Sequence, residues 1–116
     1  MDEKTTPPLR AGAVPCKSMQ DVRREIDRVD QALVVLLAER LSYIEQAGVI
    51  KSSRDSVRDE ARIEDVIAKV QAGGTRFELP AAYLEDVFRH LIEWSIAHEF
   101  VVYDDLGHAD SESPDA

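Results

Sequence analysis

The sequence predicts an all-α fold, and three observations carry that prediction. Apolar residues recur at steps of three and four for about 30 residues in the first half of the chain. No segment alternates apolar and polar residues with the period of a strand, and no internal repeat is visible. Gly and Pro number only five each in 116 residues, too few for the frequent turns of an all-β fold.

The first helix opens at Ser18, with Asp21 three positions on as a weaker form of the capping box. Val22, Ile26, Val29, Leu33, Leu36 and Leu37 form its stripe, which continues at Ile44 and Ala47 until Ser52-Ser53 breaks it. From 18 to about 52 such a helix is ~50 Å long, more than a compact chain of this size can cover. A second chain is therefore expected against it. The second helix is expected to start near Ser56, with Asp59 three residues on, and to bury Ile63, Val66, Ile67 and Val70. Gly73-Gly74 should stop it as a C′ glycine does. The third opens at Pro80, which suits a first helical turn, and carries Tyr83, Leu84, Val87, Phe88, Leu91, Ile92, Ser95 and Ile96 on to about Tyr103.

Outside these helices, residues 1–17 contain Pro7, Pro8, Gly12 and Pro15 and read as a flexible arm. Residues 105–116 read as a disordered acidic tail. That leaves 18–104 as one helical domain. A net charge of −9 makes the chain a poor prospect for nucleic acid, which needs a basic face. The single cysteine, Cys16, allows neither an internal disulfide nor a four-ligand cysteine zinc site, and a free thiol suits a reducing compartment. The N-terminus lacks the apolar core of a secretory signal, and no apolar run approaches the ~20 residues that span a bilayer. A cytoplasmic protein with no membrane partner is the default expectation.

The informative feature is which polar residues stand on the apolar stripes. Arg40 and Lys51 fall on the buried face of the first helix, and Arg23 stands at the edge of the same face. Arg62 lies four residues before Val66, and Leu91, Ser95 and Glu99 follow one another at steps of four. Buried unpaired charge costs several kcal/mol, so four cations converging on a small interior need partners. Two readings satisfy that need. One is ordinary ion pairing, of Arg40 with Glu39 or Glu45 and of Arg62 with Asp59 or Glu99. The other is a pocket for a small polyanion, probed by arginines whose forks fit carboxylates. On that second reading, removing a cation relieves mutual repulsion and should raise the melting temperature of the empty protein.

Other chemistries lack their motifs. There is no G-x-x-x-x-G-K-[ST] and no G-x-G-x-x-G. His90, His98 and His108 make no H-E-x-x-H, there is no Glu-x-x-His pair, and no serine has the setting of a nucleophile elbow. Glu60, Glu64 and Asp65 read as a solvated face.

The run Val22-Arg23-Arg24-Glu25-Ile26-Asp27-Arg28-Val29-Asp30, then Leu37-Ala38-Glu39-Arg40, then Gly48-Val49-Ile50-Lys51 resembles the all-helical chorismate mutases. The resemblance covers about residues 18–103. It implies an intertwined homodimer with three helices per subunit, each active site being finished by the long first helix of both chains. It implies that Arg23 reaches into the partner's site to bind one substrate carboxylate, and that Arg40 binds the other. It implies that Lys51 touches a carboxylate and the ether oxygen, that Asp59 and Arg62 line the pocket, and that Ser95 lies near a carboxylate. Glu99 falls where many bacterial members have a glutamine that donates to the ether oxygen. No metal and no cofactor are implied.

Two positions depart from the mutase pattern. Glu99 can donate a hydrogen bond only when protonated. Ile63 stands where mutases usually place a glutamate that binds the ring hydroxyl. The related isochorismate pyruvate lyases have an apolar residue there, and Leu91-Ile92-Glu93-Trp94-Ser95-Ile96-Ala97 also resembles their third helix. The resemblance therefore implies a chorismate mutase acting in aromatic amino acid biosynthesis, with salicylate-forming isochorismate pyruvate lyase as the rival. A non-catalytic helical dimer that binds a metabolite or a partner is the third reading.

Overall fold

A computed structural model describes residues 7–107. Three helices account for most of them, α1 (Met19–Ile50), α2 (Glu60–Thr75) and α3 (Ala81–Val102), and there is no strand among the described residues. A 3-10 turn, Arg54–Ser56, lies in the α1–α2 loop, and a π-helical turn, Tyr103–Gly107, follows α3.

Ser18 caps α1 as its sequence position predicts, its side chain accepting from Asp21 N at 3.1 Å. The reciprocal bond of the capping box is displaced by one residue, because the Asp21 carboxylate accepts from Lys17 N rather than from Ser18 N. The helix ends at Ile50, so Lys51 is its cap residue, in extended conformation, and not part of the helical stripe.

The start of α2 differs from the expectation at Ser56. Ser56 lies inside the 3-10 turn, where its hydroxyl donates back to Ser53 O at 2.7 Å, and it starts no α-helix. Asp59 caps instead, its carboxylate accepting from Arg62 N at 3.0 Å. Nor does Gly73-Gly74 stop α2. Gly74 is buried, and the end of the Leu84 side chain occupies the space a Cβ would take, so its smallness serves packing. The helix closes in a Schellman motif, with Leu79 N bonded to Gly74 O and Glu78 N to Thr75 O. The left-handed residue of that motif is Glu78, at φ 58°.

Pro80 is the N-cap residue of α3, one position before the first helical turn it was expected to open, and makes no side-chain capping bond. Asp105–Gly107, assigned above to the tail, instead belong to the π-helical turn. Residues 7–17 of the arm are exposed, and Arg10 donates to Phe77 O at 3.0 Å and to Glu78 O at 3.4 Å. Residues 1–6 and 108–116 lie outside the described residues.

α3 is the central element. Ile63 and Ile67 of α2 meet Ile92 of α3 in the core, with Val66, Phe88 and Ile96 against them. The C-terminal part of α1 packs on the other side of α3, closest at Gly48, where an added Cβ would sit 3.0 Å from Val102 Cγ1 and 3.1 Å from Glu99 O. Gly48→Ala should therefore destabilise, because overpacking against a backbone oxygen costs about 1–3 kcal/mol while helix propensity returns only about 1. A thermal melt reads the difference, and an unchanged or raised Tm would show that the two helices can part without cost.

The N-terminal half of α1 projects away from this core. Ile26, Val29, Leu33, Leu36 and Leu37 are 44–59 % exposed, although they form the apolar stripe. The molecule measures 78 × 28 × 17 Å with a radius of gyration of 19.8 Å, against about 13 Å for a compact chain of 100 residues.

Candidate active site

A cavity of about 500 Å³ lies between the three helices, and Arg40, Lys51, Asp59, Arg62, Ile63, Ser95 and Glu99 all line it. Of the residues proposed from sequence, only Arg23 is elsewhere. It is exposed on α1, beside Gln20, Arg24 and Asp27, and about 26 Å of helix at 1.5 Å per residue separates it from Arg40.

Each side chain is placed by its element. Arg40 projects from α1 and donates to Ser95 Oγ at 2.9 Å. Ser95 is buried on α3, and its own hydroxyl donates to Leu91 O at 2.7 Å. The serine's donor is thus spent on the backbone, and it serves the site as an acceptor that aims the guanidinium. No carboxylate of the described residues pairs with Arg40, so the expected partners Glu39 and Glu45 are not its partners. Glu39 accepts from Tyr43 and Glu45 contacts His98. Burial first, and the neighbouring Arg62 second, depress the Arg40 pKa below its ordinary value. An arginine stays charged at such a shift, and an arriving anion offsets it by favouring the charged form.

Lys51, at the end of α1, turns its ammonium toward α3. Nζ lies 2.7 Å from Glu99 Oε2 and 3.4 Å from Val57 O. The Glu99 side chain is 5 % exposed and that of Lys51 30 %, so the pair is half inside the protein. Arg62 is the most exposed of the pocket cations and pairs with Asp65 at 2.7 Å, not with Glu99 as one expectation had it. Asp59 caps α2 at the pocket mouth, one helical turn before Ile63, which is buried in the wall. Glu60 and Glu64, read as a solvated face, are exposed and pair with Arg58 and Arg89.

Sequence reasoning missed the part played by Val57. It is buried, lines the pocket and presents its carbonyl to Lys51. Its signal was a single apolar residue in the otherwise polar stretch from Ser52 to Arg58. Among the described residues there is no group of three His, Cys, Asp or Glu side chains that could hold a metal ion, and no helix is long and apolar enough to cross a membrane.

Chemically, the cavity offers a fork, two further cations and a buried carboxyl on apolar walls. That arrangement can clamp a small polycarboxylate and place a donor against an oxygen held between Lys51 and Glu99.

Residues 22–100 match the family described as chorismate mutase type II. The chain is 27 % identical over 84 residues to a protein of Pseudomonas aeruginosa named isochorismate pyruvate lyase, covering 72 % of this chain and 83 % of that protein. It is 30 % identical over 76 residues to the bifunctional chorismate mutase/prephenate dehydratase of Buchnera aphidicola, covering 65 % of this chain but only 20 % of that protein.

Proposed function

Because the chain belongs to the chorismate mutase type II family, we propose that it rearranges chorismate to prephenate. The observation that carries this reading is the convergence of Arg40, Lys51 and Glu99 on one cavity between all three helices. The reaction is a one-substrate pericyclic step. The ether C–O bond breaks as a carbon–carbon bond forms, and negative charge grows on the departing enolpyruvyl oxygen. Arg40, held by Ser95, binds one carboxylate and fixes the flexible dianion in a reactive conformer. Lys51 and protonated Glu99 stand against the ether oxygen, where preorganised donors are each worth ~3–4 kcal/mol. Asp59 at the mouth accepts from the ring hydroxyl, which the Ile63 wall cannot do.

The exposed apolar stripe of α1 favours a second chain beside each site. The lining side chains comprise the cations Arg40, Lys51 and Arg62 and the carboxylates Asp59 and Glu99. With Glu99 protonated the surplus is two positive charges, which matches a dianion, and Arg23 of the partner subunit would add a further grip on one carboxylate. The uncovered stripe from Ile26 to Leu37 gives that partner a surface to bury. Sedimentation is expected to give a dimer at micromolar concentration, and a folded monomer would overturn this part of the reading.

The second reading, isochorismate pyruvate lyase, is favoured by Ile63. Its apolar wall suits an isomer whose hydroxyl lies elsewhere on the ring, and the Pseudomonas aeruginosa relative bears that name. Separate incubation with chorismate and with isochorismate, with product identification, decides between them. Ile63→Glu should raise the ratio of mutase to lyase turnover about tenfold, the worth of one hydrogen bond to a charged acceptor. An unchanged ratio would place the hydroxyl away from residue 63. Tight dianion binding without product would leave a metabolite-binding dimer.

A further inference from the structure

We infer that the exposed Arg54–Asp104 ion pair is a positioning device for Lys51, and that Arg54 and Asp104 set turnover without touching substrate. The inference rests on the proposed reading of Lys51 as a catalytic group.

The chain of contacts is continuous. Arg54 Nε lies 3.0 Å from Asp104 Oδ1 and its second nitrogen 3.2 Å from Oδ2, a bidentate fork that fixes orientation as well as distance. The same guanidinium lies 4.4 Å from the centroid of the Phe100 ring. The fork therefore ties the α1–α2 loop to the end of α3 and to the π-helical turn beyond it. Within the loop, Val57 N donates to Arg54 O and Ser56 N to Ser53 O, both at 3.1 Å, so the 3-10 turn moves as one piece with Arg54. Val57 is buried in the pocket wall, and its carbonyl receives Lys51 Nζ. The other end of the loop is tied separately, by the fork of Arg58 on Glu93 at 2.9 and 2.8 Å.

Stability does not account for this construction. Exposed ion pairs contribute little to folding, and both Arg54 and Asp104 are exposed on the outer side of the loop. What the fork fixes is the position of a carbonyl that holds the ammonium opposite Glu99. The backbone of Lys51 is held by the last bond of α1, Lys51 N to Ala47 O at 2.9 Å, but the long side chain beyond it is aimed by what its ammonium reaches, and Val57 O is one such group. Without the fork the loop can drift by about 1 Å, and a misplacement of that size at a reacting atom can cost up to 10²-fold.

Arg54→Gln, Asp104→Asn and the double variant test this in the full-length protein. Each single change should lower kcat about tenfold and leave KM within about threefold, since Arg40, Arg62 and Arg23 are untouched. The double variant should be no slower than the singles, because either change alone opens the fork. Arg54→Lys, which keeps the charge and loses the fork, should recover only part of the rate. A kcat within twofold of wild type, a loss confined to KM, or losses that multiply in the double variant would each overturn the proposal. Should the unaltered protein turn over neither chorismate nor isochorismate, the proposed function fails and the positional claim is read from hydrogen exchange. Tenfold faster exchange at Ser56 and Val57 amides in Arg54→Gln would uphold the tether, and unchanged exchange would overturn it.

Discussion

Lys51→Met and Arg40→Met are both expected to extinguish turnover while moving thermal stability in opposite directions. The activity loss should be ~10²–10³ or more in each, because each removes a charged donor from a site that acts by preorganised electrostatics. The stability effects part because the two cations have different surroundings. Arg40 has no carboxylate partner among the described residues, and burial and Arg62 both work against its charge. A methionine of similar length removes that burden, and Ser95 keeps its bond to Leu91 O. Tm should hold or rise. Lys51 is the near partner of Glu99, whose side chain is 5 % exposed. Removing it strands a buried carboxylate, a cost of about 3–5 kcal/mol for a fully buried pair, reduced here to about 1–3 because Lys51 is partly solvated. The expectation from sequence that removing any pocket cation raises Tm therefore survives for Arg40 and reverses for Lys51. Adding Glu99→Gln to Lys51→Met should restore most of the lost stability without restoring activity. Equal Tm shifts in the two single variants would mean that the Lys51–Glu99 contact is energetically idle.

The contrast shows what was legible in the sequence. Period and breakers located three helices and the stripe on α1, because those signals are local. Helical spacing put Arg40, Arg62, Ser95 and Glu99 on inward faces, since helical geometry decides which face a residue takes, whereas the pocket roles of Asp59 and Ile63 came from the family resemblance and Lys51 proved to be the cap residue of α1. Pairing was not legible. That Arg40 meets Ser95 while Lys51 meets Glu99 depends on how α1 crosses α3, which is set by the close approach at Gly48. Loop chemistry was misread for a related reason. Ser56 and Asp59 are both good capping residues, and only the backbone of the 3-10 turn decides that Ser56 bonds backward and Asp59 forward. The glycine pair reads as a stop because a left-handed residue favours glycine, yet Glu78 adopts that conformation and Gly74 makes room for Leu84.

Glu99→Gln should change the shape of the pH profile more than its height. In the proposed mechanism residue 99 donates to the ether oxygen as the C–O bond breaks. A carboxylic acid can do this and a carboxylate cannot, whereas the glutamine amide donates at every pH. The ratio of variant to wild-type kcat should therefore climb as pH rises, reaching ~10² or more where the wild-type side chain is ionised, the worth of one such donor. The structure adds a second consequence. Glu99 meets Lys51 at 2.7 Å, so a substrate carboxylate competes with this carboxyl for the ammonium. Glutamine offers the ammonium only a neutral acceptor, which a ligand carboxylate displaces more readily than a charged one. The variant should bind a dianionic transition-state analogue more tightly than wild type at alkaline pH, with the advantage fading as the wild-type carboxyl takes up its proton. Folding should be spared, because the amide oxygen still accepts from Lys51 and its packing volume is unchanged. Parallel pH profiles for wild type and variant would remove Glu99 from the ether oxygen. The buried carboxyl would then be a structural anchor for Lys51, and the role of donor would pass to Lys51 alone, since the hydroxyl of Ser95 is committed to Leu91 O.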